Sequence, residues 1–252
     1  MSLCTVHYRS PALGREAEMQ IIVPDGPGPW PVLFMLHGLT GSYADYVRHH
    51  RVERLFRDES VLVVLPDGGR SFYCNEPWEG GIAWEDALWQ DALGYVERVF
   101  PTMRCREKRA VMGLSMGGYG ALLLGLRHPD LFGVCASVSG STYFSHQPSD
   151  RHSADDVGRL GAALPDDNDL FILAERLAAS GAPLTIRQSC GTEDHLWATN
   201  LAWHQHLLSL DIAHTWVAHA GAHDEGTWDQ QVPAAARFCL DYLQGGEPCP
   251  SS

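Results

Sequence analysis

A serine between two glycines is the strongest chemical signal in the sequence. Gly113-Leu114-Ser115-Met116-Gly117 follows the apolar residues 110–112 and precedes a run of small, apolar residues. This placement is typical of a tight strand-to-helix turn, in which only glycine fits two positions before and two after the serine. The turn would expose the Ser115 hydroxyl beside a helix N-terminus. We therefore predict that Ser115 is a nucleophile and not part of an ordinary glycine-rich helix start.

Two adjacent carboxylates provide the candidate acid. A serine hydroxyl needs an imidazole that a carboxylate orients, and with this turn the chain order is serine, acid, histidine. Residues 190–195, Cys-Gly-Thr-Glu-Asp-His, follow an apolar run at the required place. We predict Asp194 as the acid because the shorter side chain is the commoner choice, with Glu193 as the alternative. His195 precedes the last predicted strand, so we expect a surface or supporting residue.

Two histidines compete for the role of general base. His219 and His223 both follow the apolar residues 215–218. His223 lies further out in the loop, where it could reach back over the sheet, and we predict it as the base. We expect His219 to be packed. His204 and His206 would not share a helix face, which argues against a metal site there.

Backbone N–H groups are the candidate oxyanion donors. One donor should come from the residue after the nucleophile, Met116, and the other from the loop that follows the third strand. That loop is His37-Gly38-Leu39-Thr40-Gly41-Ser42, and Leu39 is the best-placed donor in it. A plain turn at the strand end is the alternative for His37 and Gly38.

Short apolar runs alternate with amphipathic segments along the whole chain. This pattern predicts an α/β fold of the α/β-hydrolase type, a mostly parallel sheet with helices on both faces. We treat residues 1–252 as one domain. Helices are expected over residues 84–100, 117–128 and 228–243. The predicted strands are residues 19–23, 32–36, 61–65, 110–114, 134–138, 184–188 and 215–218.

Residues 141–169 break this alternation. The segment is rich in aspartate and contains two prolines, a composition that favours an excursion from the sheet. It is predicted to be either a small lid or a long surface loop. A role in substrate selection and a role as an oligomer contact both stay open, so a homo-oligomer is allowed.

Charge and composition exclude several classes of partner. The net charge of -13 disfavours binding to nucleic acid. No run approaches the ~18 apolar residues that a membrane span needs, and residues 1–15 lack the apolar centre of a signal peptide. The seven cysteines are scattered without a CxxC pair, which favours reduced thiols over a disulfide framework. We therefore expect a cytoplasmic protein.

Several segments together resemble the esterase D family of α/β hydrolases. The family includes bacterial tributyrin-type carboxylesterases, S-formylglutathione hydrolases, feruloyl and acetyl-xylan esterases, and mycolyltransferases. The resemblance covers residues ~30 to ~230. The segments that carry it are His37-Gly38-Leu39-Thr40-Gly41, Pro66-Asp67-Gly68-Gly69-Arg70-Ser71-Phe72-Tyr73, Gly113-Leu114-Ser115-Met116-Gly117-Gly118, Cys190-Gly191-Thr192-Glu193-Asp194 and Gly221-Ala222-His223.

The resemblance implies a serine esterase with a Ser-His-Asp triad. It implies Ser115, Asp194 and His223 as the triad, Leu39 and Met116 as oxyanion donors, and neither a metal nor an organic cofactor. The Pro-Asp-x-x-x-Ser-Phe-Tyr segment is most similar to the tributyrin-type enzymes, which act on small-molecule esters with short acyl chains. Many members carry tryptophan two residues after the histidine and again near five residues after it. Position 225 here is glutamate, and only Trp228 fits the pattern.

Hydrolysis of short-chain esters is the leading hypothesis from the sequence. S-formylglutathione hydrolysis is the alternative within the same class, and a non-catalytic binding protein is the alternative outside it. Acyl transfer to a sugar is disfavoured because we find no export signal. Some of the aromatic residues near the predicted site are expected to line a small apolar pocket: Phe72, Tyr73, Trp78, Tyr119, Tyr143 and Trp197.

Overall fold

One eight-stranded sheet forms the centre of the computed structural model, which describes residues 1–76, 79–142, 166–245 and 249. The strands lie in the order β1-β2-β4-β3-β5-β6-β7-β8. They are β1 (Ser2–Ser10), β2 (Arg15–Val23), β3 (Val32–Leu36), β4 (Leu62–Pro66), β5 (Arg109–Leu114), β6 (Val134–Val138), β7 (Thr185–Gly191) and β8 (His214–His219).

Strands β3 to β8 are parallel, and only β1 and β2 run antiparallel to their neighbours. Every residue of β3, β4, β5 and β6 is buried, as expected for parallel strands that are covered on both faces. This arrangement confirms the predicted α/β fold. The carboxyl ends of β3 and β5 are adjacent, so the loops that follow these strands meet at one edge of the sheet.

The helices are short before β5 and longer after it. They are α1 (Asp45–Arg48), α2 (Val52–Leu55), α3 (Trp84–Asp86), α4 (Leu93–Val99), α5 (Met116–Arg127), α6 (Leu170–Ser180), α7 (Trp197–Ser209) and α8 (Glu225–Gly245), and a π-helical stretch, Ala87–Ala92, joins α3 to α4. The three predicted helices correspond to α3–α4, α5 and α8.

Two hydrophobic clusters cover the two faces of the sheet. Alternate residues of β3 belong to different clusters, because successive side chains of a strand point to opposite faces. Helices α5, α6 and α7 contribute Leu122, Leu173 and Trp203 to the first cluster. Helices α1 and α8 contribute Tyr46 and Leu240 to the second. The sheet therefore lies between two helical layers.

Strand β1 was not predicted from the sequence. Its residues, Ser-Leu-Cys-Thr-Val-His-Tyr-Arg-Ser, are mostly exposed, and it lies at the edge of the sheet, where it pairs with β2 over its whole length. Edge strands need little apolar character, so the apolar-run criterion does not detect them. Helices α6 and α7 were also not predicted.

The expectation of reduced thiols only is wrong for one pair of cysteines. Cys105 and Cys249 form a disulfide across 144 residues of sequence. The fold brings the C-terminal residues back to the turn before β5, where the Lys108 ammonium donates to the Leu243 carbonyl. Such a long-range approach leaves no pattern in the spacing of the cysteines. The free cysteines are Cys4, Cys74, Cys135, Cys190 and Cys239.

Most of the predicted excursion, residues 143–165, lies outside the described residues. The predictions for Trp78 and Tyr143 also fall outside them. At the two ends of the excursion, Ser141 and Thr142 are buried beside the sheet, and a 3₁₀ turn at Asp166–Asn168 leads into α6. Within the described residues, none of the helices has the length and apolar character that crossing a membrane requires.

Candidate active site

The turn between β5 and α5 holds Ser115 in a strained conformation. Its φ of 54° and ψ of -117° lie where residues other than glycine are rarely found. A Cβ atom at Gly113 would clash with the Gly117 carbonyl, and one at Gly117 would clash with the Leu36 carbonyl of β3. Both obstacles are backbone atoms. The glycine pattern around Ser115 thus has the steric cause expected from the sequence.

Ser115, His223 and Asp194 form a continuous chain of hydrogen bonds. The Ser115 hydroxyl donates to His223 Nε2 over 2.9 Å, and His223 Nδ1 donates to Asp194 Oδ2 over 2.8 Å. The other carboxylate oxygen, Oδ1, accepts the Leu196 N–H at 2.8 Å. Burial alone would raise the pKa of Asp194, but the hydrogen bond and charge of His223 outweigh it and lower that pKa. The three predicted residues therefore lie in relay geometry, with Asp194 ionised.

Glu193, the alternative acid, occupies a different position. Its side chain points away from the site and accepts the Gly221 N–H, while its own N–H donates to the Gly221 carbonyl at 3.1 Å. The hydrogen bond from Gly221 lowers the pKa of Glu193. Gly191 and Gly221 approach so closely that a Cβ at Gly191 would clash with the Gly221 carbonyl. Glu193 thus connects the loop that carries Asp194 to the loop that carries His223. The His219 carbonyl takes part in the same contact by accepting the Thr192 N–H.

The loop after β3 runs beside Ser115 and lines the same cavity. The Gly38 carbonyl accepts His37 Nδ1–H at 2.7 Å and the Gly41 N–H at 3.0 Å. Because the Leu39 N–H belongs to the same trans peptide as that carbonyl, it points the opposite way. A Cβ at Gly38 would lie 3.7 Å from Ser115 Cβ, so this peptide borders the nucleophile directly.

His37 was not predicted to have a role of its own. It is buried, and its Nε2 accepts the Gly68 N–H at 2.9 Å, which leaves the ring proton on Nδ1 for Gly38. The ring thereby fixes the orientation of the peptide that carries the Leu39 N–H. No pattern in the sequence shows this, because the bond depends on the path of the backbone immediately after His37.

Comparison with known proteins decides the family. Residues 10–239 match the esterase family described as "Putative esterase". The chain belongs to this esterase family. The esterase is 29% identical over 215 residues to the acetyl esterase of Caldicellulosiruptor saccharolyticus, a match that covers 81% of this chain and 80% of that protein. The resemblance drawn from the motifs and the prediction of a carboxylesterase are both confirmed.

Solved structures agree on the architecture of the esterase. The substrate-bound serine hydrolase FphF of Staphylococcus aureus superposes with a TM-score of 0.85 at 22% identity, covering 95% of this chain and 98% of that one. The S-formylglutathione hydrolase FrmB of the same organism gives 0.83 at 23% identity, with the same coverage. At these identities the likeness shows that the fold is shared.

The esterase has a cavity of about 270 Å³ beside Ser115. Its lining carries the carboxylates of Asp45 and Glu225, and none of the described lining residues is lysine or arginine. Also on the wall is His50, whose ring nitrogens lie 3.5 Å from Glu225 and 3.2 Å from Asp229. The cavity is therefore small, with an acidic side next to the histidine loop.

The aromatic residues expected around this cavity divide into two groups. Phe72 lines the cavity, and Trp228 packs edge-on against the His223 ring at 4.9 Å. Tyr73 and Tyr119 are fully buried and do not line the cavity, which agrees with the expectation that only some of the six aromatic residues would. Their hydroxyls donate to backbone carbonyls, which makes them supports of the surrounding loops. Trp197 packs on Trp216 and is not among the lining residues.

His195 lies on the cavity wall next to the acid. Its Nδ1 is 3.5 Å from Asp194 Oδ1, and its ring packs edge-on against the His223 ring at 4.6 Å. Because its side chain is 29% exposed, a molecule in the cavity can reach it. The sequence predicts a surface or supporting residue here, and the structure adds the contact with both Asp194 and His223.

Proposed function

We propose that this esterase hydrolyses short-chain acyl esters with Ser115 as nucleophile, His223 as general base and acid, and Asp194 as the carboxylate that orients His223. The observation that carries the proposal is the unbroken relay from Ser115 Oγ to His223 Nε2 at 2.9 Å and from His223 Nδ1 to Asp194 at 2.8 Å. Such a relay activates a hydroxyl that is otherwise unreactive at neutral pH.

In the acylation step, Ser115 Oγ attacks the ester carbonyl while His223 Nε2 takes the hydroxyl proton. Asp194 keeps the other ring proton on Nδ1 and stabilises the imidazolium that forms. The carbonyl oxygen becomes an oxyanion, which the N–H groups of Met116 and Leu39 stabilise. Collapse of this intermediate breaks the ester C–O bond, and His223 returns its proton to the departing alcohol.

Deacylation repeats the sequence with water as the nucleophile. His223 removes one proton from water as the hydroxide adds to the acyl carbonyl, and the same N–H groups hold the second oxyanion. The bond to Ser115 Oγ then breaks, and Oγ regains its proton from His223. The carboxylic acid leaves, and the esterase returns to its starting protonation state.

The cavity supports a preference for small acyl groups. Its volume of about 270 Å³ is just below the range for ligand pockets, roughly 300–1,000 Å³. The acetyl esterase relative also acts, by its name, on a short acyl group. We therefore expect acetate and butyrate esters to be turned over faster than octanoate esters.

Hydrolysis of p-nitrophenyl acetate, butyrate and octanoate tests this proposal. We expect Ser115→Ala to lower kcat by roughly 10⁴–10⁶-fold on each ester that the wild type hydrolyses. Ser180→Ala is the matched control, because the Ser180 hydroxyl forms hydrogen bonds at the end of α6. It donates to the Leu177 carbonyl and accepts the Ala182 N–H. Full activity of Ser115→Ala, or a wild type inert on every ester and thioester, would contradict the assignment.

S-formylglutathione belongs in the same assay as a thioester substrate. The glutathionyl group is anionic, and Asp45 and Glu225 give the cavity wall charge of the same sign. Like charges in a confined site oppose binding. We therefore expect a lower kcat/KM for S-formylglutathione than for p-nitrophenyl acetate. The reverse order would favour the thioesterase.

We infer a cytoplasmic location and small-molecule esters as partners, with no nucleic acid. The five unpaired cysteines support the location, and the Cys105–Cys249 disulfide opposes it, because disulfides persist mainly in oxidising compartments. Fractionation of the cells that produce the esterase tests the location. Recovery of the esterase with cytoplasmic marker enzymes agrees with it, and recovery in the exported fraction would contradict it.

A further inference from the structure

Three potential metal ligands meet at the base of the cavity. One atom each from Asp194, His195 and His223, a carboxylate oxygen and two ring nitrogens, lie within 4.8 Å of one another. Asp194 is 2.8 Å from His223 Nδ1 through one oxygen and 3.5 Å from His195 Nδ1 through the other. Neighbouring ligand atoms on tetrahedral Zn²⁺ lie roughly 3.3–3.6 Å apart when the bonds are ~2.0–2.2 Å long. The His195 distance lies in that range, whereas the His223 distance is that of a hydrogen bond and would have to widen by roughly 0.5 Å when an ion replaces the proton.

The surroundings favour a divalent cation. Two imidazoles and one carboxylate are a donor set that zinc accepts in three-ligand sites with one open position. The Leu196 N–H holds the Asp194 carboxylate in place at 2.8 Å, the kind of outer contact that orients ligands of a metal. Glu225 and Asp45 add negative charge to the cavity wall. His195 lines the same cavity, so an ion can arrive from solvent through it.

We propose that Asp194, His195 and His223 bind Zn²⁺, or a similar divalent transition-metal ion, and that the bound ion switches the esterase off. His195 is the residue that makes the site, because the relay of Ser115, His223 and Asp194 does not require it. The inhibition rests on the proposed function, whereas the binding does not.

The inhibition follows from where the proton sits on His223. In the active arrangement Nδ1 carries the proton, and Nε2 keeps a lone pair for the Ser115 proton. An ion on Nδ1 uses the lone pair of that nitrogen, so the neutral ring carries its proton on Nε2 instead. One proton leaves Nδ1 and one is bound at Nε2, with no net change. Nε2–H can then only donate to Ser115 Oγ and cannot accept its proton.

Inhibition by ZnCl₂ and reversal by EDTA test the proposal in the full chain. Each variant's rate on p-nitrophenyl acetate is divided by its own zinc-free rate, since His195 borders the cavity. We expect His195→Phe to raise the zinc concentration for half-inhibition by at least about tenfold, the effect of losing even an outer contact at a metal site. His195→Gln repeats the test with a second side chain.

His204→Phe is the matched control. His204 pairs with His214 at 2.7 Å on the outer side of α7 and β8, which makes this pair a rival site for zinc among the thirteen histidines. We expect His204→Phe to leave the half-inhibiting concentration unchanged. An unchanged value in both His195 variants, or no inhibition of the wild type up to millimolar zinc, would overturn the proposal.

Titration calorimetry and ¹⁵N-histidine NMR separate this proposal from the proposed function. Both measure binding in wild-type protein without any turnover. In the wild type we expect one zinc ion to bind per chain, with the His223 proton moving from Nδ1 to Nε2. We expect His195→Phe to abolish this binding. If no ester is hydrolysed but this binding is seen, the proposed function fails and the metal site stands. If esters are hydrolysed and zinc binds elsewhere, the metal site fails alone.

Discussion

The two sides of the candidate active site are held by different means. Ser115 lies at the centre of the sheet, where the backbones of β3, β5 and α5 are in contact. Only glycine fits at positions 113 and 117 on either side of it. Asp194 and His223 lie toward the edge, after β7 and β8, and their loops are joined by hydrogen bonds that include the exposed Glu193 side chain. The nucleophile side therefore depends on backbone packing, and the histidine side depends on polar contacts.

The assignment of the acid gives the largest expected effect on the histidine side. Asp194→Asn should lower kcat by about 10⁴-fold, because an amide no longer holds the His223 proton on Nδ1. Glu193→Gln is the matched control, with the same change of chemistry one residue away, and should retain most activity. Steady-state rates on p-nitrophenyl acetate measure both. A larger loss in Glu193→Gln than in Asp194→Asn would reverse the assignment.

Two glycines compare the sides directly. At Gly117 a Cβ meets the Leu36 and His37 carbonyls, whereas at Gly221 it meets the Thr227 side chain. We expect Gly117→Ala to cost about 4 kcal/mol or more of the free energy of unfolding, since backbone cannot easily move aside. Gly221→Ala should cost less, although its φ of 133° adds strain.

Urea denaturation with a tertiary fluorescence signal measures both glycine variants. The double variant Gly221→Ala/Thr227→Ala is the control, because it removes the Thr227 hydroxyl and methyl groups, the first of which lies nearest the added Cβ, and should recover part of the loss. Equal costs at Gly117 and Gly221 would show that the two sides do not differ in the way described.

The oxyanion loop should show an intermediate effect. His37→Phe removes the bond from Nδ1 to the Gly38 carbonyl, and so releases the peptide that carries the Leu39 N–H. Loss of a whole oxyanion donor costs about 10²–10³ in kcat, so loss of its orientation should cost about 10–100-fold with little change in KM. Because His37 is buried, a thermal unfolding curve of the same sample checks that the variant is folded. An unchanged kcat in folded His37→Phe would remove this role.

Removal of the Glu193 side chain should have the smallest effect. Its lowered pKa means that the contact with Gly221 stabilises the fold above the ordinary carboxyl pKa and is lost as the pH falls through the lowered value. We therefore expect Glu193→Ala to lower kcat a few-fold at neutral pH. The variant should also lack the loss of stability that the wild type shows in acid when Glu193 is protonated. Melting temperature against pH, compared with wild type, measures it. Parallel curves would exclude the contribution.

Much of this comparison could be predicted from the sequence. The buried strands β3 to β6 are detectable because burial on both faces demands continuous apolar runs. Ser115 is detectable because a steric requirement fixes the glycines around it. Asp194 and His223 follow from chain order, although adjacent carboxylates such as Glu193 and Asp194 cannot be separated without knowing which one faces the histidine.

Other features depend on the three-dimensional path of the chain. The edge strand β1 has too little apolar character for its type to be read from the sequence. His37 acts through the backbone of the next residue, and the Cys105–Cys249 pair meets only after the sheet has formed. Likewise, only the packing of two loops brings His195 onto the His223 ring.

The positive φ of Ser115 has a consequence for how this chain can change. A side chain in that conformation costs of order 1–3 kcal/mol, so the position most important for activity works against the stability of the fold. Glycine there would relieve the strain and leave the esterase more robust but inert. Variants selected only for thermal resistance would therefore be drawn toward loss of the nucleophile, and activity has to be selected alongside.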